Sequence, residues 1–195
     1  MTAPAVQRFR VTFANRHRSQ PVNLRRLRPI VESLLHTLPV VRTANLGVSL
    51  LSAPEMTGLN ERFLQHAGST DDITFDYSEP GQLNLERGAE LHGEILICVD
   101  EAIAQARRFR TTWQAELVRY LVHGILHLLG YDDRRPAARR KMKRAENRLL
   151  RSLAGGFDFR CLARASSRPR RAKRPAQTVT RFPLSRGGRK PRLRA

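Results

Sequence analysis

The amino-acid sequence predicts an α+β fold, a single domain with a four-stranded mixed sheet packed by helices. Two observations lead to this prediction. Short segments with alternating or continuous apolar residues are typical of strands, and longer segments repeat apolar residues at helical spacing. These segments follow one another in the order β-α-β-α-β-β-α-α-α. Helical connections permit parallel strand pairs, whereas the loop at 78–90 allows one antiparallel pair.

The first half of the chain is predicted to contain three strands and two helices. Asn23 and Ser52 precede the two helical segments and are candidate N-caps. Glu55 follows Ser52 after three residues, which is the spacing of a capping box. In order, we predict a strand at 6–13, a helix at 24–37, a strand at 45–51, a helix from Ala53 and a strand at 73–77.

The second half is predicted to contain one strand and three helices. The strand is a continuous apolar run, which is typical of burial on both faces of a sheet. Asp100 is well placed to cap the next helix, and Thr111 or Thr112 to cap the long helix that follows. In order, we predict a strand at 91–99, helices at 101–109, at about 112–129 and at 134–151, and a domain end at Gly155-Gly156.

Charge and composition divide the chain into a folded domain at 1–156 and a basic, disordered tail at 157–195. The net charge is +19, and residues 160–195 contain 13 Lys and Arg but no acidic residue. Such a basic surplus favours a polyanionic partner, and we expect RNA or the ribosome. A solvated tail that keeps the protein soluble is the alternative.

The sequence predicts a cytoplasmic protein that does not span a membrane. Its apolar run at 95–99 is far shorter than the roughly 20 residues that a membrane helix needs. The basic N-terminus lacks the apolar region of a signal peptide. Cys98 and Cys161 are not in a CxxC motif, so we expect unpaired thiols in a reducing compartment.

The stretch HGILHLLGYDD predicts a metal site at the end of the long helix. His123 and His127 are four residues apart, so both imidazoles lie on one helix face and reach a single ion. Gly130 is the residue type that most easily ends a helix in a left-handed cap. The chain then turns and brings Asp133, or alternatively Asp132, toward the same ion. Three N/O ligands with an open fourth position are typical of catalytic zinc.

Two other interpretations of the histidine pair are open. His123 and His127 can be core residues whose ring nitrogens are satisfied by hydrogen bonds. Their spacing also matches the HExxHxxGxxH series of zinc peptidases, with Asp in the last place. However, the Glu that would act as the general base of a peptidase is Gly124 here. A zinc peptidase is therefore disfavoured.

The long helix carries a polar stripe beside its apolar core stripe. Glu116, Tyr120, His123 and His127 recur on the polar stripe at helical spacing. Glu116 is a candidate hydrogen-bond partner for an imidazole, since ligating histidines usually donate their second ring N–H to an acceptor. A surface Glu near the helix start is the alternative.

The metal-binding stretch resembles the HGxLHLxGYDH signature of the YbeY family, single-domain bacterial metal-dependent endoribonucleases also called rRNA maturation factors. Leu59-Asn60 and the STDDITF segment at 69–75 are similar to the LN…(P)TDVLSF segment of the family. The GEILIC strand at 93–98 resembles the GDI or GDL strand of the family. The resemblance covers roughly residues 5–155, in the order of the family.

The resemblance implies hydrolysis of RNA phosphodiester bonds in ribosomal RNA maturation and ribosome quality control. It implies one zinc ion per chain, held by His123, His127 and Asp133, which would activate water or polarise a phosphate oxygen. The nucleophile is then either water or the RNA 2′-hydroxyl. Asp132 is the nearest candidate for a general base, with support of a ligand as its alternative role. We expect four arginines of the last helix to hold the RNA backbone: Arg134, Arg135, Arg139 and Arg140.

Two positions depart from the family pattern. The third ligand of the family is usually His, whereas this chain has Asp133 at that position. A carboxylate also binds zinc, but it makes the bound water harder to deprotonate. Many members carry an Arg five residues after the Leu of the LN segment, where this chain has Leu64. Arg62 does not replace it, because two residues along a helix rotate it about 160° away. The missing Arg favours an alternative, a non-catalytic ribosome-assembly factor with a structural metal.

Overall fold

The computed structural model describes residues 7–78, 88–163 and 192–194. The predicted order of strands and helices is confirmed. The elements are β1 (Arg8–Asn15), α1 (Leu24–His36), β2 (Val41–Leu51), α2 (Ala53–Leu64), β3 (Asp72–Asp76), β4 (Ala89–Cys98), α3 (Val99–Phe109), α4 (Trp113–Leu128), α5 (Pro136–Gly156), a 3₁₀ helix (Phe159–Leu162) and β5 (Arg192–Arg194).

The predicted mixed sheet of four strands is confirmed. The order of the strands is β1-β2-β4-β3-β5. The first three strands in this order are parallel, and β3 is antiparallel to β4, as the long loop between them permits. The short strand β5 extends the sheet beyond the prediction by pairing with β3 in antiparallel orientation.

Helices cover both faces of the sheet. The larger apolar core joins α1, α4 and α5 to one face. A smaller core lies under α2 on the other face. Strand β4 contributes to both, since Ile95 and Ile97 face the large core while Leu96 and Cys98 face the small one. The expected burial of this strand on both faces is thereby observed. No helix in the described ranges is long and apolar enough to cross a membrane.

The helix starts agree with the sequence prediction at α1, α2 and α4, whereas α5 begins at Pro136, two residues after its predicted start, and α3 has a different cap. The Asn23 side chain accepts a hydrogen bond from the Arg26 amide, and Thr112 is the residue that caps α4. Asp100 does not cap α3, because the helix already begins at Val99. Its carboxylate instead accepts hydrogen bonds from the Ala53 amide at 2.7 Å and the His17 ring at 2.9 Å. A tertiary contact has replaced the predicted local one.

The folded part continues past the predicted domain end at residue 156. Gly155 and Gly156 are the last residues of α5, and the chain then turns into the 3₁₀ helix. Leu162 of that helix is fully buried, and its carbonyl accepts a hydrogen bond from the Asn23 amide at 2.9 Å. This burial joins the segment to the start of α1. The predicted disorder at 164–191 lies outside the described residues.

Candidate metal centre

The end of α4 is shaped by a left-handed glycine, as the sequence predicts. Gly130 has a φ angle of +81°. Its amide donates to the His127 carbonyl at 2.9 Å, and the Tyr131 amide donates to the Leu126 carbonyl at 3.0 Å. This pair of bonds is a Schellman motif, which satisfies the last carbonyls of the helix and reverses the chain. The reversal brings residues 131–133 back beside the histidines.

The same reversal fixes the His127 ring. Its Nδ1 lies 3.1 Å from the Tyr131 carbonyl oxygen. A carbonyl only accepts, so Nδ1 carries the proton and donates. The Nε2 lone pair is then directed toward His123, and the buried ring, only 3 % exposed, has little room to turn.

A carboxylate on α5 fixes the His123 ring in the same way. The Nδ1 atom of His123 lies 3.3 Å from Glu146 Oε2, so it donates to the carboxylate and turns Nε2 inward. The Nε2 atoms of His123 and His127 are 3.0 Å apart. Two ligands bound tetrahedrally to zinc at its usual bond length are about 3.3 Å apart. A single divalent ion between the two nitrogens could accept both lone pairs.

Asp133 completes a group of three ligands. One ligand atom from each of His123, His127 and Asp133 lies within 4.8 Å of the others. The Arg139 Nε–H donates to the Asp133 carbonyl at 2.8 Å and holds this residue in place. Two imidazole nitrogens and one carboxylate oxygen form a donor set that suits zinc and related divalent metals. The three predicted ligands are therefore assembled into a site that could bind a metal ion.

Asp132 lies beside this group but has another contact. Its Oδ1 accepts a hydrogen bond from the Arg134 amide at 3.1 Å. This bond, together with the positive charges of Arg135 and Arg134, holds the pKa of Asp132 below its usual value. The carboxylate thus closes the turn that leads into α5. Asp133, not Asp132, is the carboxylate placed with the histidines.

Glu146 supports the site directly and was not predicted from the sequence. It is 3 % exposed, and its carboxylate accepts from His123, from Arg119 Nη1 at 2.7 Å and from Lys143 Nζ at 2.7 Å. Burial alone would raise its pKa, but these three donors outweigh burial and lower the pKa to about 2. One signal was visible in the sequence, because Glu146 is the only acidic residue within the very basic helix α5.

Glu116, the partner that the sequence suggested for an imidazole, contacts neither histidine in the described structure. It is not a surface residue either, since it is 4 % exposed. Its carboxylate accepts from Thr111 Oγ1 at 2.6 Å and from Arg119 Nε at 3.1 Å. Arg119 in turn donates to Glu146. Glu116 therefore supports the metal centre through two intermediate side chains.

A second buried acid lies behind the histidines. Asp72 at the start of β3 is 8 % exposed and accepts a hydrogen bond from Thr74 Oγ1 at 3.3 Å. Burial raises the pKa of Asp72 to about 7, against the opposing effect of the His123 charge. Burial lowers the pKa of His123, but Glu146 and Asp72 together raise it above its usual value. Negative charge around the centre thus favours a cation.

Gly124 explains why the base of a zinc peptidase is missing. A Cβ atom at this position would lie 2.7 Å from Ile95 Cγ2 and 2.8 Å from Thr74 Oγ1. The helix therefore approaches the sheet closely just beside His123. A Glu side chain there would be directed into the sheet and not toward the metal. This packing disfavours peptidase chemistry independently of any motif.

The ligand group opens into a cleft of mixed charge. The cleft has a volume of about 450 Å³, and its lining combines three basic side chains with three acidic ones. The lining residues are Asp71, Arg119, Tyr120, His123, Asp133, Arg139, Met142, Lys143 and Glu146. Of the four arginines predicted to contact RNA, Arg139 lines this cleft. Arg134, Arg135 and Arg140 are exposed on the adjoining surface. Arg119 and Lys143 add positive charge that the sequence analysis did not assign.

Leu64 and Arg62, the two α2 residues considered for the Arg of the family, are not among the residues that line this cleft. Leu64, at the position where the family often has Arg, is partly buried against the small core on the α2 side of the sheet. Arg62 is exposed, and its guanidinium lies 5.4 Å above the Phe63 ring. In this chain, the residue at the family's Arg position, Leu64, packs against the small core.

Comparison with known proteins identifies the family of this chain. The family described as Endoribonuclease YbeY matches residues 12–154. Endoribonuclease YbeY of Anaeromyxobacter sp. (strain Fw109-5) is 36% identical over 148 residues, 76% of this chain and 72% of that protein. Endoribonuclease YbeY of Salinibacter ruber is 30% identical over 138 residues, 70% of this chain and 87% of that protein.

Other relatives are matched over a smaller part of their length. Endoribonuclease YbeY of Chlorobium phaeovibrioides is 41% identical over 101 residues, 52% of this chain, and the match spans 63% of that protein. The solution structure of TM1509 from Thermotoga maritima superimposes with a TM-score of 0.53 at 22% identity, covering 75% of this chain and 90% of that one. The structural match shows that the two chains share a fold.

Proposed function

The chain belongs to the YbeY family, and we propose that it is a zinc-dependent endoribonuclease of the cytoplasm that cleaves single-stranded regions of ribosomal RNA. Ribosomal RNA maturation and ribosome quality control would be its roles, with RNA and the ribosome as partners. One observation carries the proposal: His123, His127 and Asp133 form a metal-ligand group that borders a cleft. Arg119, Arg139 and Lys143 are among the residues that line this cleft.

The ligand residues and their supports would hold one metal ion. His123 and His127 would bind it through Nε2 because Glu146 and the Tyr131 carbonyl occupy their Nδ1 atoms. Such outer contacts orient ligating imidazoles. When bound, zinc polarises a phosphate oxygen or lowers the pKa of a water molecule. We assign Asp132 to the turn that places Asp133, since its carboxylate is held by the Arg134 amide.

The basic side chains of the cleft would hold the RNA backbone. Arg119 and Lys143 are partly neutralised by Glu146, whereas Arg139 touches the site only through the Asp133 carbonyl. Cationic groups at this place attract a phosphodiester without reading its base. They would also stabilise the extra negative charge that develops on phosphate during cleavage.

The test compares wild type with His127→Ala, purified in parallel, on a ribosomal RNA precursor and an unrelated single-stranded RNA. We expect cleavage by wild type, loss of cleavage with a chelator, recovery with zinc, and no cleavage by His127→Ala. Equal cleavage by both proteins would reveal a contaminating nuclease and contradict the proposal. Activity on the unrelated RNA alone would contradict the ribosomal substrate.

A second candidate function is that of a non-catalytic ribosome-assembly factor. The observation that favours it is Leu64, which packs against the small core where many relatives have an Arg. In this case the metal would only hold the turn after Gly130, and the basic surface would dock on ribosomal RNA. Wild-type protein that binds ribosomal RNA tightly but cleaves none of it, with zinc bound, would establish this alternative.

A further inference from the structure

The turn between α3 and α4 carries an unusual combination of side chains. Phe109, at the end of α3, is 61 % exposed, more than any other large apolar residue in the described ranges. Arg107, Arg108 and Arg110 flank it in the sequence and are exposed as well. The Arg108 guanidinium lies 5.3 Å above the Phe109 ring. We call these four residues the turn patch.

Local helix chemistry explains only part of this patch. Arg107 and Arg108 lie in the last turn of α3, where positive charge interacts favourably with the helix dipole. Arg110, however, has a φ angle of +56°, a left-handed conformation that favours Gly or Asn over a long side chain. Within the described part of the chain, the three arginines form no ion pair. The patch therefore offers unneutralised positive charge around an exposed aromatic ring.

Hydrogen bonds connect the residue that follows the turn patch to the metal centre. Thr111, the residue after the patch, donates to Glu116, which accepts from Arg119. Arg119 donates to Glu146, and Glu146 accepts from His123. This continuous series of hydrogen bonds runs along the helix surface. Ten residues of helix, from the start of α4 to His123, span about 15 Å.

We propose that the turn patch is a second contact for single-stranded RNA, in which an unpaired base stacks on Phe109 while the three arginines hold the neighbouring phosphates. Aromatic rings combined with basic groups bind single strands through base stacking and backbone charge. A duplex cannot use the ring, because its bases are already stacked. The inference rests on the proposed function for the identity of the polymer, and it adds a contact about 15 Å from the ligands.

The first experiment measures binding by fluorescence anisotropy on a 12-nucleotide single-stranded RNA and on a duplex of the same length, with chelator present to prevent cleavage. We expect Phe109→Ala to weaken single-strand binding about tenfold and to leave duplex binding unchanged. Phe109→Trp should retain single-strand binding. Each of Arg108→Gln and Arg110→Gln should lower the slope of log affinity against log salt by about 0.7.

Phe63 provides a matched control. It is also exposed, at 44 %, and also has a guanidinium, that of Arg62, 5.4 Å above its ring. It packs edge-on against Phe75, on the face of the sheet opposite α4. Phe63→Ala should therefore leave single-strand binding unchanged. An equal loss in Phe63→Ala, or an equal loss on single strand and duplex in Phe109→Ala, would overturn the proposal.

A second experiment separates this inference from the proposed function. Phe109→Ala should raise KM for a long single-stranded RNA and leave kcat/KM unchanged for a trinucleotide that fills only the cleft. Wild-type protein that cleaves neither substrate would contradict the nuclease activity, while the binding assay still decides the turn patch. Wild-type binding by Phe109→Ala would overturn the patch whatever the outcome of the cleavage assay.

Discussion

Replacing Glu146 by glutamine removes the negative charge that three donors share at the back of the metal centre. His123, Arg119 and Lys143 all donate to this buried carboxylate. Glutamine keeps one acceptor oxygen but presents an amide N–H₂ to the remaining donors. The substitution therefore preserves the volume of the side chain and breaks the interaction.

The magnitude follows from the pKa of Glu146. Its pKa is lowered from 4.5 to about 2 in the folded protein, and a difference of this size corresponds to roughly 3 kcal/mol of stability. The carboxylate has the lower pKa in the folded state, so this stability is present above pH 4.5. This contribution to stability is lost as the pH falls from 4.5 toward 2, and about 1.5 kcal/mol of it should remain at pH 3.

The assay is urea denaturation of wild type and Glu146→Gln at several pH values, with chelator present. We expect the variant to be about 3 kcal/mol less stable at pH 7 and the difference to narrow below pH 4.5. Zinc affinity at pH 7 should fall about 10- to 100-fold, because His123 loses the acceptor that orients it.

Glu116→Gln is the matched control for this experiment. It disturbs the same Arg119 and an equally buried carboxylate but touches neither histidine. It should lower stability and leave zinc affinity close to wild type. A Glu146→Gln protein with wild-type zinc affinity, or with a destabilisation that does not change between pH 7 and pH 3, would refute the reasoning.

Two glycine substitutions test the packing and the turn that shape the site. Gly124→Ala should lower the free energy of unfolding, measured by urea denaturation, by about 1–3 kcal/mol, because the new Cβ would press into the sheet. Gly155→Ala should be neutral or stabilising in the same assay, because there is open space around Gly155. Equal effects of the two would contradict the close approach of α4. Gly130→Ala should lower the free energy of unfolding by about 1 kcal/mol, because Gly130 has a positive φ. It should also weaken zinc binding, measured by competition with a chelator. Unchanged zinc affinity would show that the turn does not position the ligands.

Local spacing was sufficient to predict how the end of α4 is built. A helix places residues four apart on one face, so the relation between His123 and His127 needs no knowledge of the rest of the chain. The left-handed conformation of Gly130 is likewise a property of one residue type at a helix end. Because the turn is short, it also limits where Asp133 can lie. The elements of the sheet were predictable from the same kind of local pattern.

Contacts between distant segments were not predictable in this way. Glu146 reaches His123 from 23 residues away, and only the packing of α5 against α4 brings them together. Glu116 lies at a helical spacing that suggested an imidazole partner, but its carboxylate forms an ion pair with Arg119 instead. Asp100 shows the same effect, since the Ala53 amide and His17 compete successfully for a carboxylate that local rules assign to a helix cap.

The central claim is tested most directly by elemental analysis of metal per chain in wild type, Asp133→Ala and Asp132→Ala. We predict about one zinc in wild type, its retention in Asp132→Ala and its loss in Asp133→Ala, because Asp133 is the one of these two aspartates whose carboxylate is grouped with the histidines. Retention of zinc in Asp133→Ala would remove the carboxylate from the ligand set. Wild-type protein without metal after zinc resupply would contradict the metal centre and the hydrolysis built on it.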